Sequence, residues 1–228
     1  MKPVIVYVYP APELVPMAQD YALRFLETYH NNPPGLVHET IVALNGLKIT
    51  AELKCLFSSL QGLRFMEHDD SGWDIGAFQR AARENPGADL MVFFGTSVYL
   101  KNRGWLMRMV NAAMKYGEGL YGAMGNAGNL RFKVYPHIRT TGFWIKPSLL
   151  NRYPHRITRA DQRYEFEHGQ TCLAEWLRRS GFPSWVVTTT GEFQKQYWNS
   201  VPNGYHSGNQ SALLCGDRLT EPPYYHIA

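Results

Sequence analysis

Several things are scarce in this sequence, and each scarcity excludes something. Only 18% of the 228 residues are charged against 45% hydrophobic, which excludes a disordered, collagenous or coiled-coil chain. The net charge of +4 comes from Lys and Arg scattered among acids rather than gathered in a block, the pattern of a solvated surface more than of a nucleic-acid face. No apolar run approaches the roughly 20 residues a membrane helix needs, so no span is expected. The three cysteines, Cys55, Cys172 and Cys215, lie far apart and form neither a disulfide framework nor a CxxC metal site. Met1-Lys2-Pro3 leads straight into a strand-like segment with no signal-peptide core or cleavage site. The expectation is a reduced, cytoplasmic protein. Short catalytic motifs are missing as well. Without GxxxxGK[ST], HExxH, paired CxxC or GxSxG, and without GxGxxG after the first strand, the P-loop, dinucleotide, zincin, zinc-ribbon and simplest hydrolase signatures are all excluded.

Aromatic residues are abundant instead, at 14%, with six Trp and fourteen Tyr. Many stand beside Gly, Asn or His, as in Gly72-Trp73, Gly104-Trp105, Tyr197-Trp198 and Gly204-Tyr205-His206. Aromatics in such loops offer flat apolar faces at little entropic cost, the usual wall of a site for sugars or bases.

Hydrophobic spacing predicts strands over 4–9, 40–44, 63–67, 90–94, 120–124, 138–145 and 185–189, and helices over 14–29, 49–60, 75–83, 105–116 and 166–179. Strand and helix alternate through about residue 125, which implies βαβ crossovers and a mostly parallel central sheet flanked by helices. No internal repeat or linker divides the chain, so one α/β domain is expected, with an irregular Gly-, Pro- and Tyr-rich wrapping tail over about 191–228. Parallel sheets bind ligands beyond the carboxyl ends of their strands. The loops there, at 10–12, Asn45-Gly46, 68–74 and 95–97, are all polar or Gly/Pro-bearing.

One stretch organises the rest. Glu67-His68-Asp69-Asp70-Ser71-Gly72-Trp73-Asp74-Ile75-Gly76-Ala77-Phe78 precedes a helix, and Ala88-Asp89-Leu90-Met91-Val92-Phe93-Phe94-Gly95-Thr96-Ser97 follows it. This order resembles the nucleotide-sugar half of GT-A-fold glycosyltransferases, especially family two and its rhamnan-synthesis-like relatives. Glu165-Phe166-Glu167-His168, read as opening a helix that closes at Arg178-Arg179-Ser180-Gly181-Phe182, is similar to the acidic helix start those proteins carry downstream. The resemblance covers roughly residues 3 to 190. It implies a GT-A-like (Rossmann-like) domain with a nucleotide-sugar half over about 1–125 and an acceptor half over about 126–190. The implied partners are a nucleotide-sugar donor and a hydroxyl-bearing acceptor: a glycan, a lipid-linked sugar, a protein or a modified nucleic acid.

The donor site implied by those loops comprises Tyr9, Asn45, Asp69, Asp70, Asp74, Gly95, Thr96 and Ser97, with Asp74 touching base, ribose or sugar. Asp also favours turns and helix N-caps, which is the plain alternative for this acidic cluster. Glu167, or Glu165 as second choice, is expected as the general base that deprotonates the acceptor hydroxyl, giving inversion; the alternative is first-turn acids complementing a helix dipole. Arg139 and Trp144 lie on a strand that either lines the acceptor pocket or is purely structural.

The sequence departs from the family at the end of the fourth strand. Most members place Asp-x-Asp there to hold Mg²⁺ or Mn²⁺, and this chain has Gly95-Thr96-Ser97. Either a metal is held elsewhere, with His206 a candidate ligand, or the diphosphate is met by amides, hydroxyls and the basic Lys101 and Arg103. Two other classes stand beside the transferase. A nucleotidyltransferase wants a Gly-rich basic loop after the first strand, where this chain has Pro10-Ala11-Pro12-Glu13. The other is a non-catalytic carbohydrate- or nucleic-acid-binding module on the same fold.

Overall fold

The computed structural model describes residues 1–198 and 210–221. Its centre is β1 (Val4–Pro10), every residue of which is buried. A strand covered on both faces reads as a continuous β-branched and aromatic run rather than an alternation, and Val4-Ile5-Val6-Tyr7-Val8-Tyr9 is such a run. Alternate side chains enter opposite cores. Val4, Val6 and Val8 join Phe78, Phe93 and Phe143 on one face, where those three rings meet at 4.9–5.6 Å. Ile5 and Tyr7 join Phe25, Phe94 and Trp105 on the other, with Tyr7 stacked on Phe25 at 4.2 Å.

From β1 the chain runs through α1 (Ala18–Asn31), β2 (Glu39–Asn45), α2 (Ala51–Leu56), β3 (Leu63–His68), α3 (Trp73–Glu84) and β4 (Met91–Phe94). Ala22, Phe25, Leu26 and Tyr29 recur at helical spacing and form the buried stripe of α1. This helix starts four residues later than its apolar pattern predicts. Residues 11–17 are instead turns, with the Leu14 and Val15 amides both donating to the Ala11 carbonyl. Next come β5 (Tyr99–Leu100), α4 (Trp105–Tyr116), β6 (Leu120–Gly122), β7 (Gly125–Asn126), β8 (His137–Ile138), β9 (Gly142–Ile145), α5 (Pro147–Leu150), α6 (Ala160–His168), α7 (Leu173–Arg179), β10 (Ser184–Val187), β11 (Glu192–Gln194) and β12 (Cys215–Gly216).

Among the described residues eight strands make the main sheet, in the order β11-β10-β6-β9-β4-β1-β2-β3. β1 is parallel to both β2 and β4, β2 to β3, and β6 to β10; β9 and β11 run antiparallel to their neighbours. The chain winds outward from β1 through β2 to β3, then returns to the far side of β1 as β4. That reversal makes the β1/β4 boundary a topological switch point.

Two predicted elements are each broken in two. The strand over 138–145 is split: β8 pairs with β7 in a separate ribbon, and only β9 enters the main sheet. Between them the backbone turns away, the Arg139 amide donating to the Met124 carbonyl and the Thr141 carbonyl accepting from Gly95. The helix over 166–179 is two helices. The Glu165 carboxylate captures the Thr171 amide at 2.6 Å and its hydroxyl at 2.7 Å, offering the chain an alternative to helix continuation. Glu165 and Glu167 therefore lie in the last turn of α6, not at the opening of a helix, so they do not complement its dipole. The start of α6 escapes periodicity because Phe166 is its only buried residue. Gln162 fixes that start instead, accepting from the Thr158 and Arg159 amides.

The described part of the tail adds β11 to the sheet edge and pairs β12 with β5. Residues 210–221 are tied down by Lys101 donating to the Gln210 carbonyl at 2.8 Å, Asn102 to the Leu213 carbonyl at 2.7 Å, and the Arg24–Glu221 ion pair.

Candidate functional site

A cleft of about 810 Å³ opens over the carboxyl ends of the parallel strands, within the size range of small-molecule sites. One wall is built by strand ends and the α3 entry: Pro10, Asn45, Asp70, Trp73, Asp74, Gly95 and Thr96. The facing wall holds His137, Arg139, Thr140, Thr141, Arg163, Glu167, His168 and Arg218.

The first wall is shaped by backbone. Asp70, Gly72 and Trp73 all take positive φ, at 64°, 74° and 57°, a conformation L-residues adopt at a cost. Gly72 is required there twice over, because a Cβ would also stand 2.2 Å from the Ile157 carbonyl oxygen. This turn leaves the Trp73 ring exposed, with the Arg163 guanidinium 5.3 Å from its centroid. Asp74 lies in the first turn of α3, its Oδ2 3.8 Å from where a Cβ on Gly95 would stand. Burial pushes the Asp74 carboxyl up, while Arg163 at 3.3 Å opposes this and Glu167 adds to it. Asn45 is buried at the end of β2, and its Oδ1 has no hydrogen-bond partner among the described residues. The Tyr7 hydroxyl donates to the Thr96 carbonyl at 2.8 Å and fixes the turn after β4 from beneath.

Side-chain charge dominates the second wall. Arg163 and Glu167, four apart on α6, share one face. Glu167 Oε1 accepts from the Thr140 hydroxyl at 2.9 Å and from its amide at 3.4 Å, while Oε2 lies 3.9 Å from His168 Nδ1. Burial alone would raise the Glu167 carboxyl; Arg139, Arg163, the Thr140 hydrogen bond and His137 together outweigh it, so the group sits below its ordinary value. It is an ionised carboxylate at neutral pH. Burial drives the neighbouring His137 down to about 4, against smaller opposing contributions from the Tyr135 carbonyl and Glu167. Burial also lowers His168, so both imidazoles are neutral at pH 7. Arg139 is locked by Thr141 Oγ1 at 3.0 Å and by a buried ion pair with Asp217 at 3.1 Å. Through Asp217 the segment 210–221 becomes part of this wall and brings Arg218 to the cleft.

Of the residues singled out by sequence, Asn45, Asp70, Asp74, Gly95, Thr96, Arg139 and Glu167 line this one cleft; several others stand elsewhere. Tyr9 points into the opposite core against Phe57, because strand alternation sends it there with Tyr7. Asp69 turns outward to cap Ser71 at 2.6 Å. Ser97 is not among the lining residues, and Lys101 is drawn to the tail. Trp144 is wholly buried and stacked on Tyr121, so it is a core residue rather than a pocket wall. Glu165 serves as the α6 terminator described above. Its carboxylate fills the space a Cβ on Gly169 would need, 2.0 Å away, so that glycine makes room for Glu165 rather than for a ligand. His206 lies outside the described residues. Sequence reasoning missed Thr140, Arg163 and Arg218. Arg163 had a usable signal in its i,i+4 relation to Glu167; Arg218, brought in by a long-range ion pair, had none.

Among the described residues the donor set of the cleft does not suit a resident Mg²⁺ or Mn²⁺, which demands converging hard oxygen ligands. Gly95-Thr96-Ser97 supplies no carboxylate, Asp74 is engaged by Arg163, and Glu167 is held by Thr140. Among the described residues no group of three or more His, Cys, Asp or Glu is arranged to hold a metal ion.

No protein-family model matches the chain, and no curated protein matches it. Solved structures do. A Bacillus anthracis protein described as a "Putative Glucose-1-Phosphate Thymidylyltransferase", in complex with a sucrose, superposes with a TM-score of 0.53 at 10% identity, covering 80% of this chain and 86% of that one. S. aureus TarS 1-349 in complex with UDP gives 0.50 at 12% identity, covering 72% of this chain and 53% of that one. The mannosyltransferase PcManGT from Pyrobaculum calidifontis, in complex with GDP-Man and Mn2+, gives 0.47 at 15%, covering 66% and 46%. The chain thus spans about half the length of the TarS and PcManGT chains. At these identities the likeness is one of fold: a GT-A-like, Rossmann-type α/β architecture with a mostly parallel sheet flanked by helices, shared by glycosyltransferases and nucleotidyltransferases.

Proposed function

We propose that this protein is a glycosyltransferase that moves a sugar from a nucleotide-sugar donor to a hydroxyl acceptor, with inversion. One observation carries the reading: an ionised carboxylate, Glu167, stands beside the strand-switch cleft with one oxygen anchored by Thr140 and the other turned away from that anchor. Thr140 and Thr141 link it to the end of β4, since Thr141 in turn accepts from the Gly95 amide.

In this reading residues up to about 125 hold the donor and about 126–190 the acceptor. Trp73 and Asn45 offer the base a stacking face and a buried acceptor oxygen. Asp70 and Asp74 meet the ribose or sugar hydroxyls. The diphosphate lies against Gly95-Thr96, its charge met by Arg163 and Arg218. The acceptor O–H attacks the anomeric carbon as the bond to the diphosphate oxygen breaks. The proton passes to Glu167 Oε2, and the nucleoside diphosphate leaves with the bonding electron pair. Arg139, locked by Asp217, is a positioning residue that keeps the Glu167 wall charged and in place.

A panel of UDP-, GDP- and TDP-sugars should raise the melting temperature with one donor, since a specific ligand stabilises by mass action. That donor should then be hydrolysed or transferred in EDTA at a rate close to that with Mn²⁺. Turnover lost in EDTA and restored by Mn²⁺ would overturn the metal-independent diphosphate site. The fold likeness to a thymidylyltransferase supports a second reading, and pyrophosphate release as a nucleoside triphosphate and a sugar 1-phosphate form the nucleotide sugar, without transfer from that nucleotide sugar to an acceptor, would establish it.

A further inference from the structure

Residues 119–160 contain seven Lys or Arg (Arg131, Lys133, Arg139, Lys146, Arg152, Arg156 and Arg159) and no Asp or Glu. Within this acid-free stretch, the β7–β8 connection makes a closed tip. The Asn129 and Val134 backbones bond to each other in both directions at 2.8 and 3.1 Å, and the Asn129 side chain accepts from the Arg131 amide. The four residues so held are Leu130, Arg131, Phe132 and Lys133. Leu130 and Phe132 are 68% and 66% exposed, and neither Arg131 nor Lys133 meets a carboxylate among the described residues. Holding two large apolar side chains in water on a well-bonded turn has no folding benefit. The same tip is fixed to the catalytic wall, because Val134 and His137 line the cleft and the Tyr135 amide donates to the His168 carbonyl at 2.8 Å. Leu14, Met17 and Trp73, also exposed, stand at the cleft itself.

We propose that this tip docks on an anionic lipid surface, with Leu130 and Phe132 in the boundary between headgroups and acyl chains and Arg131 and Lys133 on the headgroup charge. Apolar side chains interleaved with cations suit that interface. Arg139, Lys146 and Arg159 of the same stretch are paired with Asp217, Glu118 and Asp161, so the docking charge is that of Arg131 and Lys133, which meet no carboxylate among the described residues. Because the tip is rigidly joined to the Glu167 wall, docking brings the cleft to hydroxyls borne by the membrane. The acceptor class is then a glycan or sugar on a lipid, a clause that rests on the transferase reading above.

The test is co-sedimentation of the full chain with phosphatidylcholine vesicles, with and without phosphatidylglycerol. Retention is expected only on the anionic vesicles and should fall with rising salt. Arg131→Gln with Lys133→Gln should weaken it about thirtyfold, at roughly 1 kcal/mol per cation. Leu130→Ser with Phe132→Ser should weaken it by about tenfold or more. These residues are solvent-exposed, so both variants should keep the parent melting temperature and donor-induced shift. No retention on anionic vesicles, equal retention on neutral ones, or retention unaffected by Leu130→Ser with Phe132→Ser would overturn the proposal. So would self-association without vesicle binding that Phe132→Ser abolishes. Vesicle binding with no donor shift would leave the docking surface standing and remove the transferase reading; a donor shift without vesicle binding would do the reverse.

Discussion

The chain up to about residue 125 and the seventy residues after it are held by different physics. In the first part, elements follow apolar spacing: β1, β2 and β4 are buried runs, and α1, α3 and α4 each turn one stripe onto the sheet. In the second, polar capture sets the boundaries. Glu165 ends α6, Gln162 starts it, Thr140 holds Glu167, and Asp217 locks Arg139. The cleft lies where the two meet. One of its walls comes from strand ends that packing fixes, and the other from charges that only long-range contacts bring together. Apolar packing tolerates pH but not lost volume, whereas polar capture tolerates neither lost partners nor altered protonation.

The largest effect should come from removing volume in the packing-controlled part. Phe93 is fully buried between Phe78 and Phe143. Phe93→Ala should cost about 4 kcal/mol of stability by denaturant unfolding, with little change in its pH dependence. A loss under 1 kcal/mol would mean that the aromatic cluster is not what holds α3 to the sheet.

Acid should instead reveal the second part. His137 is lowered to about 4 in the folded chain, chiefly by burial, against 6.5 when free. Between those values the unfolded chain binds the proton and the folded chain does not. Stability therefore falls as pH drops from 6.5 toward 4 and is level above 6.5, by up to about 3 kcal/mol in all. Glu167, Arg139 and His168 face this ring, and His168, also lowered by burial, shares the slope. His137→Gln should flatten the profile most clearly from pH 6.5 to 5, above the range in which carboxylates titrate. An unchanged slope would place the proton uptake elsewhere.

The catalytic prediction sits at the junction. Glu167→Gln keeps the shape and the Thr140 contact but removes the base. Turnover should fall by about a hundredfold or more with donor affinity nearly intact. Near-normal transfer would leave the inverting mechanism without its base.

This division also explains what could be read from the sequence. The parallel sheet, its order of elements and the four loops at one edge follow from apolar periodicity, and Asn45, Asp74, Gly95 and Thr96 came with those loops. Periodicity is silent about Arg163, on a helix with one buried residue, and about Arg218, positioned by an ion pair across 78 residues between Arg139 and Asp217. It misleads at 138–145, where β-forming residues leave the sheet because the backbone partners of Arg139 and Thr141 lie in different elements. It misleads again at 166–179, where apolar spacing continues through a break that Glu165 imposes. Trp144 and Tyr9 show the remaining ambiguity: both faces of the sheet are covered, so parity sends a strand aromatic into one core or the other rather than to the cleft at the strand ends.

Glu165 offers the smallest and sharpest test of the contrast. It lies two residues from Glu167 on α6, and from the sequence it is the second choice for the same role. Their partners separate them: Glu165 Oε1 accepts from the Thr171 amide and hydroxyl and ends the helix, while Glu167 faces the cleft. Glu165→Gln keeps an oxygen able to accept from Thr171 but exchanges charge-assisted hydrogen bonds for neutral ones, worth about half as much. A loss of about 1 kcal/mol in stability should result, with turnover within about twofold of the parent because no proton passes through this group. Measuring unfolding and transfer on Glu165→Gln beside Glu167→Gln should therefore give opposite signatures, stability in one and rate in the other. If Glu165→Gln lost rate as steeply as Glu167→Gln, the helix end would be part of the chemistry, and the division between what holds this wall and what reacts on it would fail.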